Sequence, residues 1–313
     1  MKKMRRLMMT VVPVTLLLAV MCSCEKAVFD DNVPASPATG GEKVDVVIKV
    51  SETEDYVNCD VTRSNVPVAQ VCSKLCFAVY QNGERVKYDN QKVTDSGFGQ
   101  ITMSLDQGTY QLLIVGHSGT ANPTTTKADQ VKFTNQTASG GTGFTDTFYY
   151  YGTLTVSSNM SEQKYVLKRA TAMFRLITTD SKPASVKRFY FYYTGGSGQL
   201  DATTGYGNVN SQQKVYIDLD ASTDGKPLTL EVYTFPHQES KIVTFKIEAL
   251  GDNDQTLYSK ELKAQMERNV ITQYSGNFFT STTPDPPTDP STPDNNSSVL
   301  VDTEWGNLLE YTF

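Results

Sequence analysis

The chain has 313 residues, with 34 Asp and Glu against 28 Lys and Arg for a net charge of −6, and its aromatic residues are mostly Tyr (17) and Phe (14). That acidic balance argues against binding a polyanion, so no nucleic-acid partner is expected. Abundant Thr, Val and Tyr without helical periodicity exclude a helical bundle and indicate a β-rich protein, long enough for two cores.

The first six residues carry Lys2, Lys3, Arg5 and Arg6, followed by the apolar run "LMMTVVPVTLLLAV" at 7–20. This run has the length of an export-signal core and falls short of the ~20 residues needed to cross a bilayer. Behind it stand Cys22, Ser23 and Cys24. Ser23 is the small residue that lipoprotein signal peptidase requires before its cysteine, whereas Cys22 follows the bulky Met21. Residues 1–23 therefore read as a lipoprotein signal peptide, cut between Ser23 and Cys24, with Cys24 as the lipidated N-terminus. Several acyl chains at ~0.8 kcal/mol per buried methylene hold such a protein firmly to a membrane. No second long apolar segment follows, so the lipid is the only membrane attachment expected.

Residues 24–41, with Pro34, Pro37, Gly40 and Gly41, read as a flexible tether. "VDVVIKV" (44–50) then alternates as a half-buried strand does. In "KLCFAVYQNGERVKY" (74–88), Asn82-Gly83 predicts a two-residue hairpin, because both positions tolerate the positive φ of that turn. "QITMSL" (100–105) and "TYQLLIVGH" (109–117) continue the strand pattern, and the Thr-, Gly- and Asn-rich stretch 118–146 reads as a long surface loop. Strand patterns return at 147–156 and 163–179, and again at 186–194, 213–220, 227–236, 241–250 and 255–262. Regular short strands without intervening helices predict an all-β fold of two tandem antiparallel β-sandwiches, 42–165 and 166–280. A Pro- and Thr-rich spacer (281–298) leads to a strand-like C-terminal tail (299–313) holding the only Trp, Trp305.

Candidate chemistry is sparse. "GHSGT" (116–120) follows a strand as a hydrolase elbow would, but Gly119 directly follows Ser118 and no helix comes next. "DLDASTDG" (218–225) approaches a calcium loop, yet its Gly stands at the eighth place and no closing Glu follows. "GGSGQLDATTGYG" (195–207) lacks a phosphate-binding Lys. Cys72 and Cys76, if both in one strand, stand ~13 Å apart and cannot pair with each other. Cys59 could reach either of them across neighbouring strands, or all three remain buried thiols. With only His117 and His237 and no ligand spacing, neither a metal nor a catalytic set is expected, and no small-molecule cofactor.

The order of several segments resembles the FimB-like family of fimbrial anchor and accessory lipoproteins, found with the type V pili of Bacteroidota. The segments are the Ser23-Cys24 lipobox, "FAVYQNGERV", "LDQGTYQLLIVGHS", "YVLKRATAMFRLITT", "VKRFYFYY" leading to "LDATTGYG", and "MERNVITQYSGNFF" (266–279). The resemblance covers about 42–280 and implies two transthyretin-like, Greek-key sandwiches on the outer-membrane surface, partnered by fimbrial subunits. Glu25, Asp30 and Asp31 resemble surface-export signals of such lipoproteins. It further implies assembly by β-strand complementation, in which a protease cut after an arginine frees a groove for a neighbour's strand. Here that arginine is Arg63. A cut there would release lipid and first strand together, so an anchor is expected to stay uncut, whereas a cut chain would be a polymerising pilin. A different expectation is a glycan-binding surface lipoprotein of a polysaccharide-uptake system, using exposed Tyr or Trp305.

Overall fold

A computed structural model of the chain describes residues 43–54, 65–133, 143–280, 299–300, 305 and 307–313. The signal segment with Ser23 and Cys24, the tether, Cys59, Arg63 and the spacer 281–298 lie outside the described residues.

The first half contains β1 (Val44–Glu54), β2 (Asn65–Pro67), a single-turn helix α1 (Val68–Val71), β3 (Lys74–Gln81), β4 (Glu84–Lys92), β5 (Gln100–Leu105), β6 (Gly108–His117), β7 (Val131–Lys132), β8 (Thr147–Val156) and β9 (Gln163–Arg169). The β3–β4 hairpin turns at Asn82 and Gly83, with φ of 52° and 83°, as the sequence predicts. β5, β1 and β9 form one layer; β4, β3, β6 and β8 form the other. Among the described residues, the layers are hydrogen-bonded to each other where Phe148 and Tyr149 of β8 meet Arg169 and Lys168 of β9. This narrow seam lets one sheet fold over upon itself as a sandwich. Between the layers, Val46, Ile48 and Val50 of β1 pack against a core that includes Phe77, Leu112 and Leu167.

The second half contains β10 (Ala172–Thr178), β11 (Arg188–Gly196), β12 (Gln199–Asp201), β13 (Tyr206–Gly207), β14 (Ser211–Asp218), β15 (Thr229–Thr234), β16 (Ile242–Leu250), β17 (Thr256–Gln265), β18 (Val270–Gly276), β19 (Val299–Leu300) and β20 (Asn307–Thr312). A sheet ordered β15-β10-β18-β20-β19 faces one ordered β14-β11-β16-β17. Their core is aromatic, with Phe174 stacked on Phe245 at 4.1 Å between ring centres.

The two halves share one wiring. β1 is antiparallel to β5 and parallel to β9, and β10 is antiparallel to β15 and parallel to β18. β3 lies between β4 and β6 as β11 lies between β14 and β16. The sandwiches are thus mainly antiparallel, with each first strand closing in parallel against a late one. Hairpin signals reveal only neighbours in sequence, which is why these parallel pairs were not expected. The run 163–179, read as one strand pattern, divides at Ala170 and Thr171 into β9 and β10, which belong to different sheets.

The stretch 118–146 is not simply a surface loop. Its Val131, Phe133 and Phe144 are buried, and β7 pairs with β12. Together with Leu200, Ala202 and Phe235 from the second half, they cover Leu113 and Val115 on the outer face of β6. The uninterrupted "LLIV" of β6 is the sequence trace of burial on both faces.

Candidate functional site

Two strands lie nearest the ends of the described residues, β1 and β20, and each is held by a distinct set of contacts. β1 is the more deeply integrated of the two strands nearest the chain ends. It pairs with β5 through Val44–Lys49, with β9 through Ile48–Glu54 across a bulge between Val50 and Glu52, and with β2 at its end. Val46, Ile48 and Val50 point inward at 0–2% exposure, and Lys49 on the other face reaches Glu162 at 3.9 Å. Gly99 (φ 92°) holds β1 at mid-length, its carbonyl accepting from the Val50 amide at 2.6 Å. A Cβ at Gly99 would meet the Val50 carbonyl oxygen at 2.4 Å, so the tight approach requires glycine. Without β1, Ile101, Met103 and Leu105 of β5 would lose their cross-strand neighbours Ile48, Val46 and Val44. The stretch containing Arg63 lies between β1 and β2, outside the described residues.

At the junction of the sandwiches, the Arg169 guanidinium lies between two rings, 4.8 Å from the centre of Phe148 and 4.0 Å from that of Trp305. Its Nε donates to both oxygens of Asp146 at 3.0 Å, and Nη1 donates to Asn269 Oδ1 at 2.8 Å. Thr171 Oγ1 adds a bond to Asp146 Oδ1 at 2.8 Å. Burial pushes the Asp146 carboxyl upward in pKa, opposed by Arg169 and by these hydrogen bonds. The group borders a cavity of about 210 Å³ also lined by Arg175, Glu231 and Tyr233. Arg175 Nε meets Glu231 at 2.8 Å, so both arginines at the cavity face carboxylates. Trp305 is 3% exposed. It cannot offer the open stacking face that sugar binding through this residue would need.

β20 lies parallel to β18, with Val270 opposite Asn307 and Ser275 opposite Thr312. Tyr311 stacks on Tyr274 at 4.8 Å, Gln273 donates to Glu310 at 2.7 Å, and the Phe313 amide donates to the Ser275 carbonyl at 3.1 Å. The sequence marks this tail as strand-like, but nothing in it names β18 as its partner.

The enzyme-like strings resolve into structure. Ser118 Oγ donates to the Val71 carbonyl at 3.3 Å and accepts from the Ser73 amide at 3.1 Å. Buried His117 accepts from the Gly119 amide through Nδ1 at 3.1 Å. Residues 218–225 end β14 and form a short 3-10 turn (Ala221–Thr223) capped by Asp220, while Asp224 pairs with Lys182. The glycine-rich 195–207 runs from the end of β11 into the β12–β13 hairpin, which docks on β7. In "RFYFYY", Phe189, Phe191 and Tyr193 are core, and Tyr190 on the opposite face stacks on Tyr216 at 4.7 Å. Cys72 and Cys76 are free and buried in different apolar clusters, the first between the layers and the second on the outer face. Among the described residues, no group of three or more His, Cys, Asp or Glu could hold a metal ion, and no helix is long and apolar enough to cross a membrane.

A sequence model of the fimbrillin-A associated anchor proteins Mfa1 and Mfa2 matches residues 43–307. The chain belongs to this anchor-protein family. Its members are structural components of fimbriae rather than enzymes, so the chain is a fimbria-associated protein that works with other fimbrial subunits. The FimB-like resemblance read from the ordered segments is thereby borne out at family level. No curated protein matches the chain. Among solved structures, the fimbrial anchor protein Mfa2 of Porphyromonas gingivalis is 12% identical, with a TM-score of 0.40 over 69% of this chain and 81% of that one. A fimbrial assembly protein of Parabacteroides distasonis is 11% identical, with a TM-score of 0.38 over 75% and 91%. A candidate adhesin of Bacteroides ovatus is 11% identical, with a TM-score of 0.46 over 78% and 88%. Membership of the family rests on the sequence match.

Proposed function

We propose that this anchor-family protein is a surface-exposed outer-membrane lipoprotein, tied to the membrane through lipid on Cys24 and serving as an anchor or accessory subunit of a fimbrium. It meets its fimbrial partners by β-strand complementation, with its own first strand retained. The observation that carries the reading is the position of β1, hydrogen-bonded to β5, β9 and β2 with its apolar face in the core. A strand in that place, upstream of Arg63, keeps the N-terminal attachment and the first sandwich in one piece as long as the chain is intact. Cutting after Arg63 would remove both together.

N-terminal sequencing and intact mass of the protein recovered from the cell surface test this. The reading expects a start at Cys24 with the added mass of acyl chains. A start at Ser64 would overturn it and make the chain a polymerising pilin. Palmitate labelling lost on Cys24→Ala and kept on Cys22→Ala would support the choice of cysteine; the opposite pattern would move the lipid site.

A further inference from the structure

One short segment touches both sandwiches. Arg169 and Phe148 belong to the first, on β9 and β8, whereas Met173, Ile271 and Tyr233 belong to the second, on β10, β18 and β15. Trp305 touches groups of both: it covers the Arg169 guanidinium, packs in one apolar cluster with Met173, Ile271 and Leu308, and meets Tyr233 at 6.2 Å between ring centres. From there β20 runs along the edge of β18 for six paired residues and ends with Phe313 beside Gly276. The sandwiches also meet through the chain link Ala170-Thr171, held by the Ala170 amide on the Thr147 carbonyl (2.8 Å) and the Asn269 amide on the Thr171 carbonyl (2.9 Å), through the β7–β12 pair with its shared apolar cluster, and through Arg268, which donates to Tyr149 at 3.0 Å.

We propose that Trp305 and β20 form a strap that adds stiffness to the junction between the sandwiches. Docked, it covers Arg169 and adds to the tie that Arg169, held by Asp146, already makes to Asn269 of the second sandwich. Lifted, it uncovers the backbone of Val270–Ser275 and the Trp305 side of the junction in one event, because the same segment covers both. Besides β18, the strap meets β19 at Leu308 and Leu309 and the second core at Tyr311 and Phe313, where the Lys260 ammonium of β17 lies 4.9 Å from the centre of the Phe313 ring. This inference does not depend on the lipid or on the fate of Arg63.

Hydrogen exchange followed by mass spectrometry on the full chain tests it with two variants at opposite ends of the strap. Trp305→Ala removes the ring from Arg169; a cation–aromatic contact of this desolvated kind corresponds to about tenfold in an opening equilibrium. The amides of Thr147, in the first sandwich, and Ala170, in the link, are expected to exchange about tenfold faster, while those of Phe77 and Leu113 stay unchanged and report an intact sandwich. Gly276→Ala acts from the far end, since a Cβ there would meet the Phe313 carbonyl oxygen at 2.2 Å. It is expected to speed exchange at the same junction amides although it touches neither Arg169 nor Trp305. Faster exchange confined to 270–276 and 307–313 in either variant would overturn the proposal and leave the segment a local edge cover.

Discussion

Ile48 stands opposite Ile101 in an antiparallel pair on one side and opposite Gln163 in a parallel pair on the other. Its side chain is fully buried. Truncating it with Ile48→Ala should cost about 2–5 kcal/mol through lost burial and an unfilled cavity. Urea titration checks this. A loss under about 1 kcal/mol would mean that the first strand contributes little to its sandwich.

Asp180 closes the end of the second sandwich. Its Oδ1 accepts from the Phe278 amide at 2.8 Å, and Oδ2 from Phe279 at 2.6 Å and Thr280 at 2.9 Å. A carboxylate that satisfies three main-chain donors is hard to replace, since the amides it leaves behind lose their acceptor in a partly buried place. Asp180→Ala is expected to lower stability by about 1–3 kcal/mol and to speed proteolysis just after Phe279. Asp180→Asn, which keeps one acceptor, should fall between the two.

His117 makes the protein acid-sensitive. Burial holds its imidazole down to about 4, and the Lys74 ammonium adds to the effect. In the unfolded chain the ring takes up its proton near pH 6.5. Between those values the unfolded state binds more proton than the native one. The native advantage is therefore whole above about pH 6.5 and shrinks as pH falls towards 4, by about 3 kcal/mol in all. Thermal melts of the wild type and His117→Gln at pH 7 and pH 5 check this. The variant should lose less stability between the two pH values, and an equal loss would remove His117 from the account.

The two described thiols should be inert. Burial pushes the Cys76 thiol up to about 12 and the Cys72 thiol higher still. A thiol must ionise to attack, so alkylation by iodoacetamide at pH 8 should miss both in the folded chain and reach both in urea. Modification of either in the native protein would contradict the burial.

Much of the strand inventory was legible because it is written locally. Asn82-Gly83 announces its turn, and Ala172, Phe174 and Leu176 announce a face. What could not be read depends on distant partners. Nothing near Gln163 says that it will lie beside Ile48, and nothing near Leu308 says that it will meet Ile271. Phe133 and Phe144 sit in a stretch whose Gly and Thr content masks them, yet they cover β6 together with Phe235. Trp305 stands out in the sequence as the only tryptophan, and exposed glycan stacking is one expectation it carries. Its actual neighbour, Arg169, lies in the middle of a strand pattern that gave no hint of a junction.

The pairing of β1 also has a mechanical side. A pull applied to the chain ahead of Val44 runs along the strand axis, not across it. Such a load acts on the hydrogen-bond rows towards β5 and β9 together, in shear, so that the bonds of both rows resist at once instead of opening one after another. A hairpin loaded at its open end would unzip bond by bond. The way β1 is stitched into its sandwich suits an element that must hold while something is being tugged.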